Sequence, residues 1–256
     1  MKLIKKMTII SAICCCMLVG CTSTKTDEDG MKTLNRAIAK TDEAKHSTGE
    51  SVMGLEILSD AGSGEESMSV RVLMDFTMNH IDDLEKTQAK VVMSTDNSGV
   101  KETITMYSTG GYIYSEVNGQ KVKTALDKET DTVTESTKLQ SFGETNIESL
   151  QLKKEGTSQI ATVELKESFM KTFVADRLGE SLTGLMITDD MIDVDSSTVT
   201  YRIDANGYVD KQNLSFDFYV KQNNQKLKMK IYYQNTYSSF MKKQIEFPDL
   251  DDYVEQ

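Results

Sequence analysis

Apolar and polar residues alternate almost one for one along three long stretches of this chain, and that period commits much of it to β-sheet with one dry face. Met68, Val70, Val72, Met74, Phe76 and Met78 alternate with the mostly polar Ser69, Arg71, Asp75, Thr77 and Asn79. Leu214, Phe216, Phe218 and Val220 repeat the pattern, as do Leu227, Met229, Ile231 and Tyr233 between Lys226, Lys228 and Lys230. Successive side chains of a strand point to opposite faces, so each stretch presents one apolar and one wet surface. Parallel sheets are buried on both faces and read as continuous apolar runs; clean alternation belongs to antiparallel sheets covered on one side.

Turn chemistry supports antiparallel hairpins. Gly110-Gly111 separates Thr103–Ser108 from Tyr112–Val117, Asn118-Gly119 leads into Gln120–Ala125, and Ala205-Asn206-Gly207 precedes Tyr208. Glu155-Gly156 stands between Leu150–Lys154 and Gln159–Leu165. Such pairs supply the positive backbone angles that tight hairpins need. Two helices are predicted beside the strands. Leu34, Ala37, Ile38 and Thr41 mark one helical face over Met31 to Ala44; Phe169, Phe173, Val174 and Leu178 mark another, with Ser168 as cap and Gly179 as stop. Their apolar stripes need a partner, and the dry side of a sheet is the natural one. Asp127 to Glu144 is polar and rich in Thr and Ser, and reads as a loop or mobile crossover. Nothing divides residues 31–256 into more than one domain.

The N-terminus carries an address. Lys2, Lys5 and Lys6 precede an apolar run from Met7 to Gly20, which is shorter than the roughly 20 residues a membrane span needs and fits an export signal. The run closes on Leu18-Val19-Gly20-Cys21, which resembles the lipobox of bacterial lipoproteins. That resemblance implies cleavage between Gly20 and Cys21 and a diacylglyceryl group on the Cys21 thiol, with acylation such as palmitate. Two acyl chains anchor stably where one is marginal. Thr22 to Gly30 then reads as a short acidic tether, holding the body at the extracytoplasmic face of the cell membrane. Loss of residues 1–20 takes the net charge from −11 to −14, an acidic surface that repels phosphate backbones and excludes a nucleic-acid partner. Cys14, Cys15 and Cys16 leave with the signal, so neither a disulfide nor a free thiol is expected in the mature fold.

Reaction chemistry is poorly supported. His46 and His80 are the only histidines, and both are expected to face solvent; no nucleophile elbow, phosphate loop, cofactor motif or zinc helix is present. Asp189, Asp190, Asp193 and Asp195 form the densest acidic cluster, but counting from Asp193 puts Thr198 and Asp204 where a calcium loop needs Gly and Glu. A solvated turn explains it, and no metal is expected. Two patterns suggest binding instead. Many methionines, Met53, Met68, Met74, Met78, Met93, Met106 and Met229 among them, fall in strand-like stretches, forming either an ordinary core or an adaptable wall for an apolar ligand. Tyr107, Tyr112, Tyr114, Tyr201, Tyr219, Tyr232, Tyr233 and Tyr237 sit in or beside strands, as strand preference or a cleft rim would place them.

With these elements placed, the chain resembles small surface lipoproteins of Gram-positive bacteria grouped with the LolA-like and LppX-like superfamily. The stretches that carry the resemblance are Met106-Tyr107-Ser108-Thr109-Gly110-Gly111-Tyr112-Ile113-Tyr114, similar to the family's strand, glycine turn and strand, Asn118 to Lys123, similar to its lysine-bearing strand, and Ile245-Glu246-Phe247-Pro248, similar to its closing strand before a lone proline. The resemblance implies an α+β fold, an open and strongly curved antiparallel half-barrel packed over two or three helices. It also implies a non-enzymatic module holding a hydrophobic molecule or envelope lipid. The ligand face would then comprise Met68, Val70, Val72, Met74, Phe76, Met78, Phe216, Phe218, Met229 and Ile231, with Phe169 and Phe173 of the second helix lining or plugging it. If they fill it, the alternative is a solid-core lipoprotein that acts on an envelope protein partner through its surface.

Overall fold

The computed structural model describes residues 28–58, 68–117, 119–126, 137–181, 188–222 and 225–255, the side chains of a few terminal positions of these stretches excepted. The expected signal at residues 1–20, the expected cleavage position Gly20–Cys21 and Asn118 lie outside the described residues. Among the described residues twelve strands form one sheet, antiparallel except at one edge, with two long α-helices beside it: the expected α+β half-barrel architecture.

The strands are β1 (His46–Leu58), β2 (Met68–Asn79), β3 (Gln88–Asn97), β4 (Val100–Thr109), β5 (Tyr112–Val117), β6 (Gln120–Ala125), β7 (Ile147–Glu155), β8 (Ser158–Leu165), β9 (Ile192–Ile203), β10 (Val209–Gln222), β11 (Gln225–Ser239) and β12 (Val254–Glu255). Two meanders, β1 to β6 and β7 to β11, are joined because the first strand pairs with the last long one, giving the order β12-β6-β5-β4-β3-β2-β1-β11-β10-β9-β8-β7. β4 pairs with β5, β5 with β6, β7 with β8 and β9 with β10 across the expected turns, and Gly110 and Gly111 take φ of 59° and 78°, angles that side chains disfavour.

The register places residues 51 to 57 of β1 (odd numbers), 68 to 78 of β2 (even), 89 to 97 of β3 (odd) and 212 to 220 of β10 (even) on one face. This inner face carries both helices. α1 (Glu28–Asp42) buries Met31, Leu34, Ala37, Ile38 and Thr41, as its spacing predicts. It starts three residues earlier than expected, drawing Glu28, Asp29 and Gly30 out of the anticipated tether. Glu28 and Asp29 lie in the first turn, where carboxylates favour the positive helix end. α2 (Glu167–Ser181) buries Met170 and Val174 and runs through Gly179 instead of stopping there.

Two further expectations are corrected. Ile245 to Phe247 is not a strand: after β11 the chain crosses the outer face, where Phe247 lies 6.0 Å from Tyr107 and Tyr253 lies 5.4 Å from Tyr114. The closing strand is β12, beyond Pro248, laid parallel on β6. The polar crossover is not a surface loop throughout. Residues 127–136 lie outside the described set, but Thr137 and Leu139 are buried against the inner face.

Candidate functional site

The inner face divides into a covered half and an open half. Over β7 to β10 and the second half of β11 it is closed by α1, α2 and residues 137–142. Phe173 meets Phe216 at 5.8 Å, and Phe169 bridges Phe142 and Phe173 at 6.0 and 5.9 Å. Phe216 and Phe218 are 0 % exposed here, so they are core and not ligand wall.

Between the helices a row of polar side chains grips the main chain of the crossover. Gln212 Nε2 donates to Gln140 O at 2.6 Å while its Oε1 accepts from Gln140 N at 2.9 Å, as a neighbouring strand would. Tyr201 Oη donates to the same carbonyl at 2.8 Å. Asn235 Nδ2 and Tyr237 Oη both donate to Thr137 O, and Ser51 Oγ donates to Asn235 Oδ1 at 3.0 Å. Gln212, Asn235 and Ser51 are 0 % exposed, and each finds its partner here. Burial raises the Tyr201 and Tyr237 hydroxyl pKa values far above the ordinary tyrosine value, so both remain donors. Tyr201, Tyr233 and Tyr237 are therefore inner-face residues and not part of an exposed rim.

Over β1 to β4 and the first half of β11 the same face is less covered. Next to the helices Met74, Phe76, Met78 and Val91 are buried, and Phe76 meets Tyr237 edge to face at 5.8 Å. Gly49 makes this possible: a Cβ there would stand 2.2 Å from Thr236 O and 2.8 Å from the Phe76 ring. Farther along, cover thins. Met53 is 43 % exposed and Leu227 38 %, with Leu55, Ile57, Val70, Val72, Met93 and Ile231 half-buried between and beside them. The β3–β4 hairpin adds Val100 at the rim.

The candidate ligand face is thus split by burial. Met74, Phe76, Met78, Phe216, Phe218 and Met229 belong to the core; Val70, Val72 and Ile231 line the open half; Phe169 and Phe173 pack α2 onto the closed half. Met68 heads β2 in register with Ile57, its side chain outside the described set. Sequence reasoning counted Met53 and Met93 among the strand methionines but did not place them, or Leu55 and Ile57, in the ligand face. Met53, Leu55 and Ile57 alternate correctly in β1, but Val52, Gly49 and Gly54 interrupt the pattern.

The remaining candidates are held by neighbouring side chains. Asp193 pairs with Lys221 and Lys226, which hold its carboxyl below the usual range, and Asp195 lies 3.8 Å from Lys228. Among the described residues no group of three metal-ligating side chains converges. His46 and His80 do not stand apart in solvent: their rings meet at 5.1 Å, and burial followed by the His80 charge lowers the His46 pKa.

Residues 33–249 match the family of unknown function DUF6612. The chain belongs to that family. No curated protein matches the sequence. Among solved structures the chain is similar to LprF from Mycobacterium bovis, at 6 % identity and a TM-score of 0.37, over 88 % of this chain and 98 % of that one. It is also similar to a β-barrel-like protein of the DUF1849 domain from Brucella abortus, at 9 % identity and a TM-score of 0.17, over 76 % and 97 % of the two chains. These are loose likenesses of shape, and the half-barrel described above rests on its own strand order and register. No helix among the described residues is long and apolar enough to cross a membrane.

Proposed function

We propose that this DUF6612 chain is a lipid-anchored extracytoplasmic binding protein, tethered through Cys21, that holds an acyl chain or a similarly apolar molecule against the open half of its inner face. It binds without chemical conversion. The observation that carries the reading is Met53, 43 % exposed on the inner face and surrounded by half-buried aliphatic side chains. Fully burying a large apolar side chain is worth about 1.5–3 kcal/mol, and a greasy ligand covering the exposed part of Met53 restores roughly half of that or less. Methionine adapts to ligands of differing shape. The anchor reading rests on Leu18-Val19-Gly20-Cys21 behind a basic, apolar leader.

The two parts are tested with one variant. Cys21→Ala is expected to lose radioactive palmitate labelling and membrane retention while staying folded; continued labelling overturns the anchor. Any lipid seen on that chain by native mass spectrometry is non-covalent. A fluorescent fatty acid is expected to bind it and to lose affinity about tenfold or more in Met53→Asp/Val72→Asp, because a carboxylate in an apolar contact opposes binding. No co-purifying lipid and no uptake would overturn the ligand reading and leave a solid-core interaction module. The burial of Phe216 and Phe218 favours that description for the closed half.

A further inference from the structure

The outer face carries a groove of about 680 Å³ where the pairing of β1 with β11 shifts register between Thr48 and Gly49. Its volume lies in the range of small-ligand sites. Glu50 and Asp75 stand directly opposite each other across β1 and β2, both lining the groove. Like charges at such a position destabilise a sheet. Several other carboxylates on this face are matched: Asp193 by Lys221 and Lys226, Asp210 by Arg202, and Asp96 by Lys101. Among the described residues Glu50 and Asp75 have no ion-pair or hydrogen-bond partner, and neither has Lys211.

Lys211 lines the opposite wall. It is in register with Thr236, and Thr236 with Glu50, so Lys211 stands two strands, roughly 10 Å of backbone, from Glu50 and three strands, roughly 14 Å, from Asp75. Between the charged ends lie the Gln234 amide and the Thr236 hydroxyl, which make only a long 3.5 Å contact with each other. The Thr48 hydroxyl, also lining the groove, is shut off from solvent without a partner. Unspent hydrogen-bonding capacity of this kind calls for an explanation.

We propose that this groove binds short peptides in their zwitterionic form. The ammonium group sits between Glu50 and Asp75, the terminal carboxylate meets Lys211, and a peptide group between them faces Gln234 and Thr236. The order acid pair, amide and hydroxyl, lysine repeats in complementary form the order of charges and dipoles along a dipeptide. A divalent cation fits less well, since Lys90 and Lys211 border the groove and no third acidic ligand converges there among the described residues. This site lies on the opposite face from the apolar patch and stands or falls separately from it.

The test is titration of the ¹⁵N-labelled full chain in detergent micelles with glycylglycine, N-acetylglycylglycine or glycylglycinamide, following the Gly49, Glu50 and Thr236 amide resonances. Glycylglycine is expected to shift them saturably. Each blocked form, and each of the Glu50→Gln/Asp75→Asn and Lys211→Met variants with glycylglycine, is expected to bind about tenfold or more weakly, the loss of one charged hydrogen bond. Absence of localised shifts at concentrations of order 10 mM overturns the proposal. So do equal shifts from all three probes, shifts retained in Glu50→Gln/Asp75→Asn, or the same shifts from calcium alone. Unchanged melting temperatures verify that the variants remain folded.

Discussion

Gln212 is the residue whose loss most directly tests whether the crossover is part of the fold. It is 0 % exposed and exchanges two hydrogen bonds with the main chain of Gln140. In Gln212→Ala the Gln140 N–H loses its partner, at about 1–3 kcal/mol, whereas the Gln140 carbonyl keeps Tyr201 and loses only one of two donors, at about 0.5–1.5 kcal/mol. The four missing heavy atoms leave a void of roughly 50 Å³, which costs about 1 kcal/mol at the usual scale for core cavities. The total is about 3–5 kcal/mol, a large part of the about 5–15 kcal/mol that stabilises an ordinary domain. Gln212→Met conserves most of the volume and removes both hydrogen bonds, so it is expected to lose about 2–4 kcal/mol. Equilibrium urea denaturation with the slope held as a check on two-state behaviour gives both values. A loss under about 1 kcal/mol in Gln212→Ala, or a Gln212→Met chain as stable as the parent, would refute the view that inner-face side chains pin residues 137–142.

Two further predictions concern glycine and histidine. Gly49→Ala drives a methyl group to 2.2 Å from the fixed Thr236 carbonyl, whereas Gly54→Ala meets the movable tip of Tyr232. The first is expected to cost about 3 kcal/mol or more and the second about 1 kcal/mol, and equal midpoints in urea would contradict the assigned geometry. The His46 pKa is lowered by burial, then by His80 and Lys242, against the raising influence of Asn79 and Asp82. The unfolded chain therefore binds this proton more readily, and stability falls as pH drops from about 6.5 through the lower folded pKa. Melting temperatures between pH 7.5 and 5 should fall less steeply in His46→Gln than in the parent; parallel slopes would remove His46 as a source of acid sensitivity.

Much of the half-barrel is legible along the chain. The β2 stretch from Met68 to Met78 is one strand, and the β10 and β11 patterns pair with Phe216 opposite Ile231 and Phe218 opposite Met229. The apolar spacing of α1 is recovered residue by residue from Met31 to Thr41. The site is less legible. Met53 follows a correct alternation, yet Val52 turns apolar on the other face and Gly54 only makes room for the Tyr232 ring, so β1 does not read as cleanly amphipathic. The groove carboxylates Glu50 and Asp75 are two acids among 40 until strand pairing sets them opposite one another.

The sequence by itself determined which side chains share a face, because a strand's period of two and a helix's of 3.6 are properties of the local backbone. It also determined the acidic charge, and it carries the Leu18-Val19-Gly20-Cys21 pattern on which the proposed anchor rests. Tertiary structure decided what lies on each face. The pairing of β1 with β11 joins two meanders into one sheet, and Tyr237 reaches Thr137 across 100 residues. That contact and its neighbours convert half of an apparently uniform apolar surface into closed core and leave the half around Met53 open. Alternation specifies that a surface is dry, but its cover comes from distant segments whose local pattern, polar from Asp127 to Glu144, carries no sign of where they will pack.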